Sequence, residues 1–451
     1  MKIEFIGAAG TVTGSKFLLT AGRKNILVDC GLYQGQKNLR QQNWKALPVH
    51  APRIDSVILT HAHIDHSGYI PLLVKQGFTG DIFCSKSTKA LCQVLLPDSG
   101  HIQEEDASFA NKHKFSKHNP ALPLYTEQDA RKALHFFRSV RWGEPFALSG
   151  ELTVSFHRAG HIIGASIVRL EGHGTTITFS GDLGRSHSET MKPPSEIQET
   201  EYLVMESTYG NRLHPDINAM ESVKDIITKT AARGGIVLIP AFAVGRVQQI
   251  LYIIHQLKKV NKIPNLPVYL DSPMAVEATH LFCEFSEDHA IPEKECREMM
   301  GTAHFVASSD ESKRLNNINE PCVIISASGM AEGGRVLHHL KRLAPHAKNT
   351  LHITGFQAPG KRGHAIVNHA KEVKIHGIQI PIHAEVINLE SLSAHADQNE
   401  ILDFLKHFHR PPKKTFLVHG EPDASMALKK KIEDDLGWDV LIPAQNDSFE
   451  L

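Results

Sequence analysis

Short apolar runs separated by glycines and polar turns open the chain, at 2–6, 17–19, 26–28 and 54–60. Runs of this length with that punctuation predict β-strands. The spacing at 68–76 turns helical, and 81–84 reads as a strand again. The stretch 86–142 is long and helical in pattern. It carries Lys112, Lys114, Lys117, Arg131, Lys132, Arg138 and Arg141. Strands are predicted again at 152–157, 166–170 and 175–179.

From about residue 209 the rhythm changes. An apolar run at 235–240 precedes helical periodicity over 244–257. Runs at 267–270, 321–326 and 350–354 are each followed by a polar loop and another helical pattern. Four strand–loop–helix units in succession predict a parallel sheet flanked by helices. Loops after parallel strands gather at one sheet edge, where ligands bind. The last 60 or so residues hold strand candidates at 415–419 and 439–442 around a helix at 399–407.

Composition narrows the classes. A length of 451 residues predicts two or three domains. Lys+Arg and Asp+Glu are both 49, which excludes nucleic-acid binding by bulk charge and leaves a local basic groove open. No apolar run approaches a membrane span, and the N-terminus lacks the pattern of a secretory signal. A cytoplasmic protein is expected. Cys30, Cys84, Cys92, Cys283, Cys296 and Cys322 contain no C-x-x-C and read as buried thiols. The 29 histidines are the one unusual count, and position must say which carry chemistry.

Four potential ligands crowd into His61-Ala-His63-Ile-Asp65-His66, just after the run ending at Thr60. On a straight strand they would alternate between faces; a sharp strand-to-helix turn aims them at one point. Imidazole and carboxylate donors suit Zn²⁺ or Mn²⁺. His161 (AGHIIGAS), Asp182 (FSGDLG), His395 (SLSAHAD) and His419 (FLVHGE) lie in similar strand-end settings. Singly, each would more often be a turn or core residue; beside the cluster they become candidate site residues.

The order HAHIDH, GH, SGD and a late histidine resembles the metallo-β-lactamase fold of metal-dependent hydrolases. Glu206 in MESTYG, His395 in SAHAD and His419 in VHGE are similar to the further motifs of its β-CASP nucleases. GAAGTVTGS, LVDCG, IPAFAVGR, DSPMA, SASGM and TGFQAPG extend the resemblance over essentially the whole chain. The RNA-processing bacterial members and the endonuclease subunit of the eukaryotic mRNA 3′-end cleavage factor are the types it resembles most. The resemblance implies an α/β fold: an αββα sandwich with an inserted parallel-sheet α/β domain. The expected divisions are 1–208 and 391–451 for the first domain and 209–390 for the insert.

The resemblance also implies roles. His61, His63 and His161 would hold one zinc, with Asp65, His66 and His419 on a second and Asp182 bridging; Mn²⁺ is the alternative ion. Asp65 counts also among the catalytic residues. Asp29 would orient the cluster without touching metal; a plain turn aspartate is the alternative reading. His395 would be the general acid that protonates the leaving oxygen, oriented by Glu206. RNA is the implied substrate, cut to 5′-phosphate and 3′-hydroxyl ends, and His419 is the residue type the RNA enzymes carry at that motif.

Ser326, Ser328 and Gly329, at a parallel-strand end, are candidate phosphate contacts, and Arg335 a candidate groove cation with Arg246, Lys361 and Arg362. Gly355 to Arg362 nearly spells a P-loop, but Arg362 replaces the hydroxyl residue, so no nucleotide cofactor is expected. No membrane partner and no appended RNA-binding domain are expected, and a homodimer is left open. Three readings compete with the ribonuclease: a DNA nuclease of the same fold, a thioester hydrolase on the same metal core, and an RNA-binding scaffold without metals.

Overall fold

The computed structural model describes residues 1–451 apart from Phe115, Phe356, Ala358 and Pro359, and describes Glu390 by its backbone alone. Three of these fall in the TGFQAPG motif, which is thereby only partly described. Two units emerge: residues 1–188, 192–213 and 395–451 form the first, and 189–191 with 214–394 form the second.

The first unit is built on two seven-stranded sheets. One runs through Ser448–Glu450, Lys2–Phe5, Phe17–Ala21, Lys24–Val28, Ser56–Ile58, Asp81–Ser85 and Phe137–Val140. The other runs through Val440–Leu441, Lys414–Val418, Tyr202–Glu206, Thr175–Phe179, Ser166–Gly172, Leu152–Arg158 and Phe146–Ser149. Alternating inward residues of both sheets make one core. Phe5 and Phe17 from the first sheet meet Phe416 and Phe179 from the second, with ring centroids 5.1 and 5.8 Å apart. Such pairs add to the burial of their apolar area. The pattern is the ββ centre of the expected sandwich.

Helices follow local signals. Lys86–His113 starts at Ser85, whose hydroxyl accepts from the Thr88 amide, and stops at Lys114 in the left-handed region. Pro97 lies within it. The helical expectation for 86–142 holds for this element and for Glu127–Ala133, but Phe137–Val140 is a strand. It pairs parallel with Asp81–Ser85, placing Phe137 opposite Ile82. Pairing across the sheet and burial of Phe137 override the local pattern.

The second unit holds a six-stranded parallel sheet ordered His304–Phe305, Val268–Leu270, Val323–Ser326, Val237–Pro240, Thr350–Thr354 and Glu385–Leu389. Four of these strands lead into helices, at Arg246–Lys259, Pro273–Glu284, Val336–Leu343 and Arg362–Val367. The central strands Val237–Pro240 and Val323–Ser326 are buried throughout, as continuous apolar runs in parallel sheets require.

The cysteine expectation needs one correction. Cys30, Cys84, Cys92 and Cys322 are free and buried, but Cys283 and Cys296 form a disulfide. Helices Pro273–Glu284 and Glu293–Met300 bring their Cα atoms to 5.6 Å, within bridging reach. A 13-residue spacing with no motif does not reveal that approach.

Candidate metal centre

The seven candidate ligands and the His395–Glu206 pair lie in the first unit, at or just beyond the ends of strands. Ser56–Ile58 leads through Thr60 to the buried His61. His63 is the N-cap of the short helix Ile64–Ser67, so Asp65 and His66 stand on its first turn. The Ser67 hydroxyl donates to the carbonyls of Ala62 (2.9 Å) and His63 (3.0 Å), closing the turn. Gly31 lies over it so closely that a Cβ there would fall 1.6 Å from the Asp65 carbonyl oxygen. In the second sheet, Leu152–Arg158, Thr175–Phe179, Tyr202–Glu206 and Lys414–Val418 all run in one direction. His161, Asp182, Glu206 and His419 therefore emerge from the same end of that sheet.

Two groups of ligand atoms result. His61, His63, His161 and Asp182 offer atoms within 4.8 Å of one another, and so do Asp65, His66 and His419. Asp182 touches both: its Oδ2 is 3.4 Å from His61 Nε2 and 3.6 Å from His161 Nε2, and its Oδ1 is 3.2 Å from His66 Nε2. Glu206 also comes within such a distance of Asp182 and His419.

The fit to metal rests on how these atoms face each other. His61 Nε2 lies 3.2 Å from His63 Nδ1, His161 Nε2 lies 3.3 Å from the same atom, and His66 Nε2 lies 3.2 Å from His419 Nε2. With Zn–N bonds of about 2.0–2.1 Å, a tetrahedron has edges of about 3.3 Å. Asp182 Oδ1 is buried without a hydrogen-bond donor among the described residues, the mark of an acceptor built for something else. Burial, reinforced by neighbouring rings, lowers His61 and His161 and takes His63 down to about 3, so their lone pairs stay available. This donor set fits zinc or manganese.

Outer partners hold the ligands in place. His66 Nδ1 donates to Asp29 Oδ2 at 2.7 Å. Asp29 also accepts from the Thr60 amide (2.8 Å) and the Thr60 hydroxyl (2.9 Å). Thr60 Oγ1 is 3.1 Å from His61 Nδ1, linking both ligand groups to one carboxylate. Asp29 (φ +56°) and His419 (φ +49°) adopt the left-handed backbone that non-glycine residues seldom occupy. Ser15, whose hydroxyl lies 3.4 Å from His66 Nε2, joins Thr60 and Thr208 as supports of the ligands that the sequence does not mark, because hydroxyls are too common to stand out.

His395 stands beside the cluster, its Nε2 4.0 Å from Asp182 Oδ2. Its Nδ1 donates to Glu206, 3.0 and 3.2 Å from the two oxygens. Glu206 is buried and accepts further from Thr208 Oγ1 (2.5 Å) and from the Leu183 amide. Burial lowers the affinity of His395 for its proton, but the Glu206 carboxylate outweighs it and raises the pKa to about 9. A bridge from Gly184 to His395 and a bond from the Ala396 amide to the Leu183 carbonyl (2.8 Å) pin the ring next to Asp182.

The remaining candidates lie in the second unit. Ser326 is buried and its hydroxyl donates to the Asp271 carbonyl at 2.9 Å. Ser328 Oγ accepts from the Glu332 amide at 3.3 Å, and Gly329 abuts Phe242. Arg335 binds Asp271 Oδ1 (2.8 Å) and the carbonyls of Val306 and Ala307 (3.0 Å each). Among the described residues no helix is long and apolar enough to cross a membrane.

Family comparisons match three successive stretches of the chain. A model of the metallo-β-lactamase superfamily matches residues 10–231, and one of the β-CASP domain matches 247–366. A Zn-dependent metallo-hydrolase RNA specificity domain matches 379–443, including His395 and His419. The chain is 35% identical to ribonuclease TTHA0252 of Thermus thermophilus over 438 residues, 95% of each chain. It is 30% identical over 444 residues to transcription termination factor FttA of Methanocaldococcus jannaschii, covering 93% of this chain and 67% of that one. An RNase J-like protein from the same archaeon is 29% identical over 98% of each. A crystal structure of a protein of unknown function from Enterococcus faecalis shares the fold, with a TM-score of 0.55 at 14% identity, over 100% of this chain and 99% of that one.

Proposed function

This chain belongs to the β-CASP branch of the metallo-β-lactamase superfamily, and we propose that it is a zinc-dependent ribonuclease. One observation carries the reading: seven ligand residues converge in two groups joined by Asp182, with the His395–Glu206 pair beside them. His61, His63 and His161 would hold one ion, Asp65, His66 and His419 the other, and Asp182 would bridge. When bound, the ions supply an acidified water and neutralise charge on the phosphoryl oxygens.

The chain's own residues do the rest. Asp29 and Thr60 keep His66 and His61 turned toward the site. Glu206 takes the Nδ1 proton of His395 in a hydrogen bond and leaves Nε2 facing the reacting centre. His395 donates from Nε2 to the departing sugar oxygen, leaving a 3′-hydroxyl on one fragment and a 5′-phosphate on the other. The names of the relatives and the RNA specificity match support RNA as the substrate. In the second unit, Ser328 and Gly329 are the more available of the candidate substrate contacts, because Ser326 and Arg335 use their polar groups internally.

The test is digestion of one single-stranded sequence, made as RNA and as DNA and labelled in turn at each end. RNA-selective cleavage by metal-loaded protein, absent in His63→Ala, is the expected result. Cleavage of DNA alone, or of a thioester with RNA untouched, would overturn the reading. The end-label pattern separates internal cutting from end-trimming.

A further inference from the structure

Lys16 is among the largest fully buried side chains of the protein, with 2% of its surface exposed. A buried ammonium ordinarily needs a carboxylate. Here its one hydrogen bond among the described residues is a long one, 3.4 Å, to the Gly14 carbonyl. What surrounds it is aromatic: Nζ lies 4.7 Å from the centre of the Tyr33 ring and 4.9 Å from that of Tyr69. Cation–π contacts of this kind offset part of the desolvation. Gly14 makes the arrangement possible, since a Cβ there would come within 2.6 Å of the Tyr33 ring.

This lysine lines a cavity of about 200 Å³, together with Tyr33, Tyr69, Gln42, Lys45 and Asn446. None of the residues lining it is acidic. Lys45 is exposed, so the cavity combines one buried and one solvated cation. Burial brings Lys16 down to about 8, which still leaves it mostly charged at neutral pH. The space is below the roughly 300 Å³ at which pockets for larger organic ligands begin. It suits a compact anion.

We propose that this cavity is an accessory binding site for a small tetrahedral oxyanion of the phosphate class, held by Lys16 and Lys45 between the two tyrosines. The site is distinct from the metal centre but shares its supports. The Ser15 amide donates to the Asp65 carbonyl (2.9 Å) and the Cys30 amide to the His66 carbonyl (2.7 Å). Tyr69 follows the helix that carries both ligands, its amide bonded to the Cys30 carbonyl at 2.8 Å. The anion would thus rest against the backbone that positions Asp65 and His66. The proposal does not depend on the ribonuclease reading.

The experiment is calorimetric titration of the full-length, metal-loaded protein with inorganic phosphate, beside Lys16→Met and Lys45→Met. Loss of one charge-assisted hydrogen bond corresponds to about tenfold or more in affinity. Lys16→Met is expected to weaken one phosphate site by at least that factor, and Lys45→Met by a smaller one, with metal content unchanged. Phosphate bound at the metals would be indifferent to Lys45. If Lys16→Met does not fold, the exposed Lys45→Glu decides, since reversing that charge should abolish the site. Wild-type stoichiometry and affinity in the folded variants would overturn the proposal. A nucleoside 5′-monophosphate in a parallel titration identifies the source: Lys45-dependent binding points to a nucleotide phosphate, and binding of phosphate alone points to the free ion.

Discussion

Each unit buries a cluster of aspartate and histidine, and the two are built on opposite principles. In the second unit, Asp271 is fully buried and saturated. Its Oδ1 accepts from Arg335 (2.8 Å), and its Oδ2 from His339 Nε2 and Ser312 Oγ (2.6 Å each). Burial would raise its pKa, but these donors hold the carboxyl below the usual range. In the first unit, Asp182 is also buried, yet its Oδ1 has no hydrogen-bond donor among the described residues and faces histidine nitrogens that themselves face one another. The same residue types make a structural knot when donors match acceptors, and a ligand set when acceptors converge on acceptors. Counting histidines cannot distinguish the two; donor bookkeeping can.

Substitutions sharpen this contrast. His63→Ala should lose bound metal and reduce cleavage to background while the fold persists, as metal analysis and the RNA assay would read. Retained metal at wild-type content would remove His63 from the ligand set. His395→Ala should lower cleavage by about 10²–10⁴-fold with metal content intact. If metal content fell with it, His395 would be a ligand and the general-acid role would go. Asp271→Ala should do the reverse, keeping metal while destabilising the protein by about 1–3 kcal/mol, because the buried His339 loses its acceptor, while Arg335 keeps the Val306 and Ala307 carbonyls. Denaturant midpoints measure this, and an unchanged midpoint would mean the knot contributes nothing.

Two smaller effects follow, one in each unit. His352, in Thr350–Thr354, is fully buried, and burial takes its pKa from 6.5 down to about 4. The unfolded chain then binds the proton more readily. The resulting stability is complete above pH 6.5 and is lost as pH falls toward 4, by roughly 3 kcal/mol in all. His352→Leu should flatten that part of the stability–pH curve; an unaltered slope would show that the ring titrates normally. Asp29→Ala should weaken metal affinity by about 10–100-fold, the range for residues that orient a ligand. Competition with a chelator would read it, and wild-type affinity would return Asp29 to the role of a turn aspartate.

Much of this organisation was legible in one sequence. His61, His63, Asp65 and His66 stand so close together that only a strand-to-helix turn can use them jointly, and the chain makes one at Ile64–Ser67. The four strand–loop–helix units of the second half follow from apolar runs that a parallel sheet demands. Other features left no local trace. Tyr202–Glu206 is a central strand, and Ser448–Glu450 pairs beside Lys2–Phe5, yet neither stands out by periodicity. Arg335 looked like a groove cation and is spent on Asp271, 64 positions away. Cys283 and Cys296 looked like two thiols and are bonded.

The division has a physical cause. Ligand identity, strand period and turn position are properties of neighbouring residues, so the chain states them directly, and with them the class of chemistry. Which acceptors remain without donors, which lysine is enclosed without a carboxylate, and which aspartate is saturated are properties of residues tens or hundreds of positions apart. His66 and His419 meet at 3.2 Å across 353 positions. Only the folded backbone brings such groups within the few ångströms over which hydrogen bonds and ligation are decided.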